Sequence, residues 1–156
     1  MLKLVISGGQ TGADRGGLMA AKASGLATGG WMPKGFLAHD GPRPDVAAAF
    51  GLQEHASANY PPRTRLNVRH ADATVRFARD WNSPGEQATL KFLLKYGKPW
   101  RDVEIENPAT PEEIARFLVE RRVAVLNVAG NAEQTAPGIE TFVVAFLTRV
   151  FRLALA

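Results

Sequence analysis

The sequence predicts an α/β fold, a three-layer sandwich with helices on both faces of a mostly parallel sheet of about five or more strands. Three observations lead there. Short aliphatic or β-branched runs alternate with amphipathic stretches along the chain. Two helix starts carry the same signature, Ser83-Pro84-Gly85-Glu86 and Thr110-Pro111-Glu112-Glu113, with a capping hydroxyl, a proline and an acid three residues on. No repeat or low-complexity tract interrupts the alternation, so residues 1–156 read as one domain.

The first strand is the apolar run Leu2 to Ile6, ending at Ser7-Gly8-Gly9. A helix follows over Asp14 to Ser24, with Leu18, Ala21 and Lys22 at helical spacing and Gly25 as its stop. Leu26 to Trp31 reads as a second strand, weakened by Gly29 and Gly30. Pro33 to Pro44 and Asn59-Tyr60-Pro61-Pro62 read as loops, Arg63 to His70 as a short helix and Ala73 to Phe77 as a strand. The Ser83 helix should end at Gly97, with Pro99 beyond it, and Trp100 to Ile105 should be a strand. The Thr110 helix shows Ile114, Phe117, Leu118 and Arg121 on one face. Val123 to Val128 is the clearest buried strand. Pro137-Gly138 opens a last helix, with a stripe of Ile139, Phe142, Val143, Phe146, Leu147, Val150 and Phe151. That stripe, continued to Leu155, exceeds what a chain of this size must bury, which predicts a homo-oligomer, dimer or tetramer.

Composition excludes several classes. With 46% hydrophobic and 22% charged residues the chain is ordinarily globular. It has no cysteine, so no disulfide framework, thiolate metal site or cysteine nucleophile exists. His39, His55 and His70 are scattered, and no protein-ligated metal is expected. No signal peptide and no bilayer-length apolar run is visible, so a cytoplasmic protein without a membrane partner is expected. The net charge of +4 suits an anionic ligand as well as nucleic acid.

In parallel α/β sheets ligands bind beyond the carboxyl ends of the strands, so the loops there are the candidate site. The first supplies Gly8, Gly9, Gln10, Thr11, Gly12, Asp14 and Arg15. Glycines let backbone amides approach a ligand, and a helix N-terminus favours an anion. The loop lacks the Gly-Lys-Ser/Thr ending of a P-loop and is not G-x-G-x-x-G. Its bland alternative is a tight turn capped by Thr11 or Asp14. In the second loop Trp31 suits stacking on a planar ring and Lys34 an anion contact; core packing and solvation are the alternatives. Arg63 and Asn67 share a helix face, and a guanidinium can grip phosphate with two prongs, whereas Arg65 and Arg69 read as surface charge. A capping box accounts for Ser83 and Glu86, yet the end at Ser83, Pro84 and Gly85 can also receive an anion. Gly130 leaves the best strand at the equivalent position.

Taken in order, these residues resemble a known family. Gly8-Gly9-Gln10-Thr11-Gly12-Ala13-Asp14-Arg15 is similar to the opening signature of the "putative molybdenum carrier proteins". The resemblance continues through Gly29-Gly30-Trp31, Pro33-Lys34-Gly35, Asp40-Gly41, Arg63-Thr64, Asn67-Val68, Asp72-Ala73-Thr74, Lys98-Pro99, Leu126 to Gly130 and Pro137-Gly138-Ile139. It implies a Rossmann-like fold related to the lysine-decarboxylase-like group, which includes cytokinin-nucleotide phosphoribohydrolases. It also implies a phosphorylated small-molecule ligand, either molybdenum cofactor (molybdopterin, a pterin phosphate) or a nucleotide derivative. The glycine loop would hold phosphate, Arg63 and Thr64 would line the pocket, and Ser83-Pro84-Gly85 would form a second anion loop. Two departures stand out. Met32 replaces a frequent cysteine, and Ser83 to Thr89 lacks the P-G-G-x-G-T-x-x-E pattern of the hydrolases, with Glu86 at a capping position.

The expected function is therefore binding or carriage of a phosphorylated pterin or nucleotide. The alternative is a nucleotide-processing hydrolase with Asp14, Glu86 or Asp40 as acid or base. A nucleic-acid module built on Arg63, Arg65 and Arg69 ranks last, because no recognition motif accompanies these charges, and no nucleic-acid partner is expected.

Overall fold

The computed structural model describes all 156 residues. In chain order the elements are β1 (Leu4–Ile6), α1 (Ala13–Ala23), β2 (Ala27–Gly29), β3 (Trp31–Met32), β4 (Leu37–Ala38), β5 (Gly41–Pro42), α2 (Pro44–Phe50), β6 (Gln53–Glu54), α3 (Tyr60–His70), β7 (Ala73–Ala78), α4 (Pro84–Tyr96), β8 (Trp100–Glu104), α5 (Pro111–Glu120), β9 (Val125–Gly130) and α6 (Ile139–Ala154). Five strands form one sheet in the order β2-β1-β9-β7-β8, and every pairing in it is parallel. This is the predicted Rossmann-like sandwich.

Strand side chains alternate between faces, and that alternation separates core from site. Val5, Val75, Phe77, Leu126 and Val128 face the main core, which α1 closes with Ala20 and Ala21, α5 with Ile114 and Phe117, and α6 with Ile139, Val143, Leu147 and Phe151. The intervening residues of β7 and β9 are Thr74, Arg76 and Asn127, all buried although polar. They lie under α3 and α4, which pack on each other. Arg76 is tolerated there because each of its nitrogens donates a hydrogen bond and a carboxylate pairs its charge. It grips Asp102 of β8 with two 2.8 Å bonds and donates to the Glu86 carbonyl at 3.1 Å.

Several expectations are corrected. The strand from Leu26 to Trp31 breaks at Gly30, whose φ of 123° and closeness to Ser7 leave no room for a side chain; a Cβ would stand 2.1 Å from the Ser7 carbonyl oxygen. Trp31 and Met32 pair instead with Gln53 and Glu54, outside the main sheet. Helix α3 begins at Tyr60, not Arg63, because Pro61 and Pro62 occupy its first turn, where no backbone donor is required. A further helix, α2, opens on Pro44 and stops at left-handed Gly51. β9 runs two residues past Val128 and begins two after Val123. The α6 stripe is buried against α1, α5 and the sheet, with Phe142 half-buried, and of its large apolar residues only Leu153 is exposed. The stripe that prompted the homo-oligomer expectation is thus packed mostly within one chain. No helix is long and apolar enough to cross a membrane.

Candidate functional site

Beyond the carboxyl ends of β1, β7 and β9, between α3 and α4, lies a cavity of about 420 Å³. Of the residues singled out in the sequence, Gly8, Gln10, Asp14, Arg63, Thr64, Asn67, Ser83, Pro84, Gly85 and Gly130 line it. Tyr60, Glu86, Thr89 and Asn127 complete much of the polar wall.

Arg63 is the distinctive group. Its Nε is fully buried and has no hydrogen-bond partner. One terminal nitrogen donates to Thr64 Oγ1 at 2.5 Å, and the guanidinium lies 5.3 Å from the Tyr60 ring. It takes part in none of the ion pairs of the molecule. Gly8 makes this placement possible, since a Cβ there would stand 2.6 Å from Arg63 Cζ. Burial pulls the Arg63 pKa down, while Asp14, Tyr60 and Glu86 oppose that at longer range. A guanidinium with a buried, unpartnered Nε and no ion pair is costly, and an anion would offset that cost.

The glycine loop is arranged differently from a phosphate cradle. The Gly9 amide donates to Ser7 Oγ (3.2 Å), the Gln10 amide to Asp14 Oδ2 (3.2 Å), the Thr11 amide to Gln10 Oε1 (3.0 Å) and the Ala13 amide to the Asn131 carbonyl (3.1 Å). Gly12 lets α1 start against the loop after β9; a Cβ would meet the Asn131 carbonyl oxygen at 2.5 Å. Thr11 tethers that loop through Gln134 and the Glu133 amide. Arg15 turns away to Asp40, with bonds of 2.7 and 2.8 Å, and to the Gly9 carbonyl. Two other predicted residues also lie outside the cavity lining. Trp31 packs on His70 with ring centroids 4.7 Å apart, and Lys34 is exposed. Asn67 lines the cavity but spends its amide on the Trp31 backbone, at 3.0 and 3.1 Å.

The two capping signatures diverge. At Thr110 the box is complete, with the Glu113 carboxylate accepting from the Thr110 amide at 2.7 Å. At Ser83 only half of it forms. Ser83 Oγ accepts from the Glu86 amide at 3.4 Å, but the Glu86 carboxylate turns inward and accepts from the Ser83 hydroxyl and, at 2.8 Å, from Asn131 Nδ2. Glu86 is 3% exposed. The helix end read as a second anion loop thus carries a carboxylate of its own, and its Glu86 amide is capped by Ser83. Burial pushes the Glu86 carboxyl above its usual range, with the bonds from Ser83 and Asn131 working against the rise. Burial likewise raises Asp14, against the pull of Arg63. Asn131 aligns the wall. It also donates to the Asp80 carbonyl and accepts from the Arg79 and Asp80 amides. The end of α6 is closed by Glu133, which accepts from the Gly138 and Glu140 amides. The sequence reading omitted Asn127, Asn131 and Tyr60. A polar residue inside the apolar run Val125 to Val128 was the available signal for Asn127.

The model of the circularly permutated YpsA SLOG family matches residues 5–151. The chain belongs to that family. It is also similar to a solved structure, the crystal structure of a "putative molybdenum carrier protein" from Syntrophus aciditrophicus SB. Identity is 32%, the TM-score is 0.85, and the alignment covers 99% of this chain and 96% of the other. The family resemblance read from the motifs is thereby borne out, and so is the fold. No curated protein matches the chain. For this SLOG-family chain no three His, Cys, Asp or Glu side chains converge as a metal-binding group.

Proposed function

We propose that this protein binds a phosphorylated small molecule, nucleotide-like or pterin, in the cavity at the strand ends, with Arg63 as its phosphate anchor. The observation that carries the reading is the buried, unpartnered Arg63 Nε beside Gly8. Other anion-suited features are engaged from within: glycine-loop amides by Ser7, Gln10, Asp14 and Asn131, the Glu86 amide at the α4 end by Ser83, and the α6 end by Glu133. A volume of about 420 Å³ lies low in the roughly 300–1,000 Å³ range of small-molecule sites, which suits a mononucleotide or a pterin phosphate. The name of the Syntrophus relative favours the pterin. Molybdenum cofactor fits these residues only through its organic part, with Arg63 on phosphate, since the chain offers no thiolate and no convergent metal ligands.

The reading is a carrier or binding protein first. A hydrolase remains the second reading, favoured by one observation: the buried Glu86 carboxyl lines the cavity and is tuned upward by burial, as an acid or base working near neutral pH requires. Calorimetry with GMP, AMP and inorganic phosphate tests the first reading. Arg63→Ala should reduce affinity by about tenfold or more, with partial recovery in Arg63→Lys. Equal affinity in wild type and Arg63→Ala would remove it. Release of free base from a nucleoside monophosphate, absent in Glu86→Ala, would establish the second.

A further inference from the structure

Around α4 the cavity wall presents two free acceptor oxygens, one from Glu86 and one from Asn127. Glu86 Oε2 is pinned by Asn131 and Ser83, whereas Oε1 accepts no bond from the chain. Asn131 has committed both amide hydrogens, to Asp80 and Glu86. The three Arg76 nitrogens are committed to Asp102 and the Glu86 carbonyl. Asn127 gives an amide N–H to Thr74 Oγ1 at 3.2 Å, and its amide oxygen accepts no bond from the chain. Glu86 and Asn127 both line the cavity. A ligand entering this wall therefore meets a carboxylate oxygen that needs a donor, beside an amide with its oxygen and one N–H uncommitted.

Heterocycles differ sharply in what they bring. The hydrogen-bonding edge of adenine sets an acceptor nitrogen beside its amino group, and an acceptor facing a carboxylate is repelled. The 2-amino-4-oxopyrimidine edge, common to guanine and to pterins, carries a ring N–H beside an amino group, two adjacent donors. We propose that Glu86 is the specificity-determining residue of the cavity, and that it selects a phosphorylated 2-amino-4-oxopyrimidine ring over adenine. Asn131 is the positioning residue that holds the carboxylate toward the ligand. The inference rests on the proposed role of Arg63 as phosphate anchor. Arg63 on the α3 wall takes the anionic group, and Glu86 on the α4 wall repels it, so the two orient the ligand.

The test is calorimetry at pH 7.5 with GMP, IMP, AMP and 6-hydroxymethylpterin monophosphate. GMP should bind about 10- to 100-fold more tightly than AMP, the discrimination expected of a paired polar contact. IMP keeps the ring N–H and lacks the amino group, so it should fall between them. In Glu86→Gln, which retains side-chain volume, the GMP-to-AMP ratio should collapse toward one. Whichever of GMP and the pterin phosphate binds more tightly identifies the source of the shared ring edge. AMP binding as well as GMP in wild type, or an unchanged ratio in Glu86→Gln, overturns the proposal. Ligands that bind without this order, yet still lose affinity in Arg63→Ala, sink the role of Glu86 alone. Failure of all four ligands to bind sinks both readings.

Discussion

Gly8→Ala is the most selective test of how the anion site is built. Gly8 does not adopt a left-handed backbone conformation, so alanine is not excluded by strain. What alanine adds is a Cβ 2.6 Å from Arg63 Cζ and 2.8 Å from Nε. Ordinary contact begins near 3.4 Å, so the guanidinium must retreat by about 0.8 Å. It can do so because it ends a flexible side chain and no ion pair fixes it. The fold should survive, with a stability change of roughly 1 kcal/mol or less, as at sites where little packing is lost. Binding should suffer much more. Charge-assisted bonds depend on placement, and a displacement near 1 Å can cost about a hundredfold where geometry is strict. We expect GMP affinity to fall by about 10- to 100-fold. Calorimetry measures that loss, and a thermal melt of the same sample establishes folding. A folded Gly8→Ala protein with wild-type affinity would refute the argument that Gly8 seats Arg63 for an anion.

Two stability predictions follow from the same wall. Burial raises the native pKa of Glu86 above its unfolded value, so the native state holds that proton more tightly. Its contribution is fully present below the unfolded pKa and is lost as pH rises through the native one. Glu86→Gln cannot ionise, so its stability relative to wild type should increase from pH 4.5 to pH 8; denaturant melts showing the opposite slope would contradict this. Gly130→Ala should abolish folding or cost more than about 4 kcal/mol, because its φ is 150° and a Cβ would stand 1.9 Å from the Phe77 carbonyl oxygen. A cooperative melt near the wild-type temperature would count against that geometry.

The layers of the fold were legible because they depend on local rules. Strand runs, helix periodicity and the proline and glycine at helix ends act within a few residues, and they placed most of the helices and strands of the sandwich. Errors arose where a distant contact decided the outcome. Gly30 breaks a strand because the Ser7 backbone lies against it. Thr110 and Ser83 head the same four-residue signature, yet only one box closes. Glu113 is exposed and finds no better partner than the backbone at its own helix end, whereas Asn131, 45 residues away, draws Glu86 inward. The placement of Arg63 on the site wall was legible from its spacing to Asn67. Its lack of an ion-pair partner was not, because it depends on where every carboxylate falls in space.

The glycine motif shows where inference by motif gives way to packing. A run such as Gly8-Gly9-Gln10-Thr11-Gly12 reads as backbone amides free for phosphate, because missing side chains are what a cradle requires. Missing side chains are also what close packing requires, and here three of those amides, and that of Ala13 just after them, are already engaged. Gly12 admits the loop after β9, while Gly16 and Gly17 let α1 settle against Val143 of α6 and Val128 of β9. Gly8 alone opens toward the ligand side, and what it admits is the Arg63 guanidinium. The motif thus serves the anion indirectly. It packs α1 closely enough to bring the ends of β1 and β9 together, and it leaves one gap, which an arginine from α3 fills.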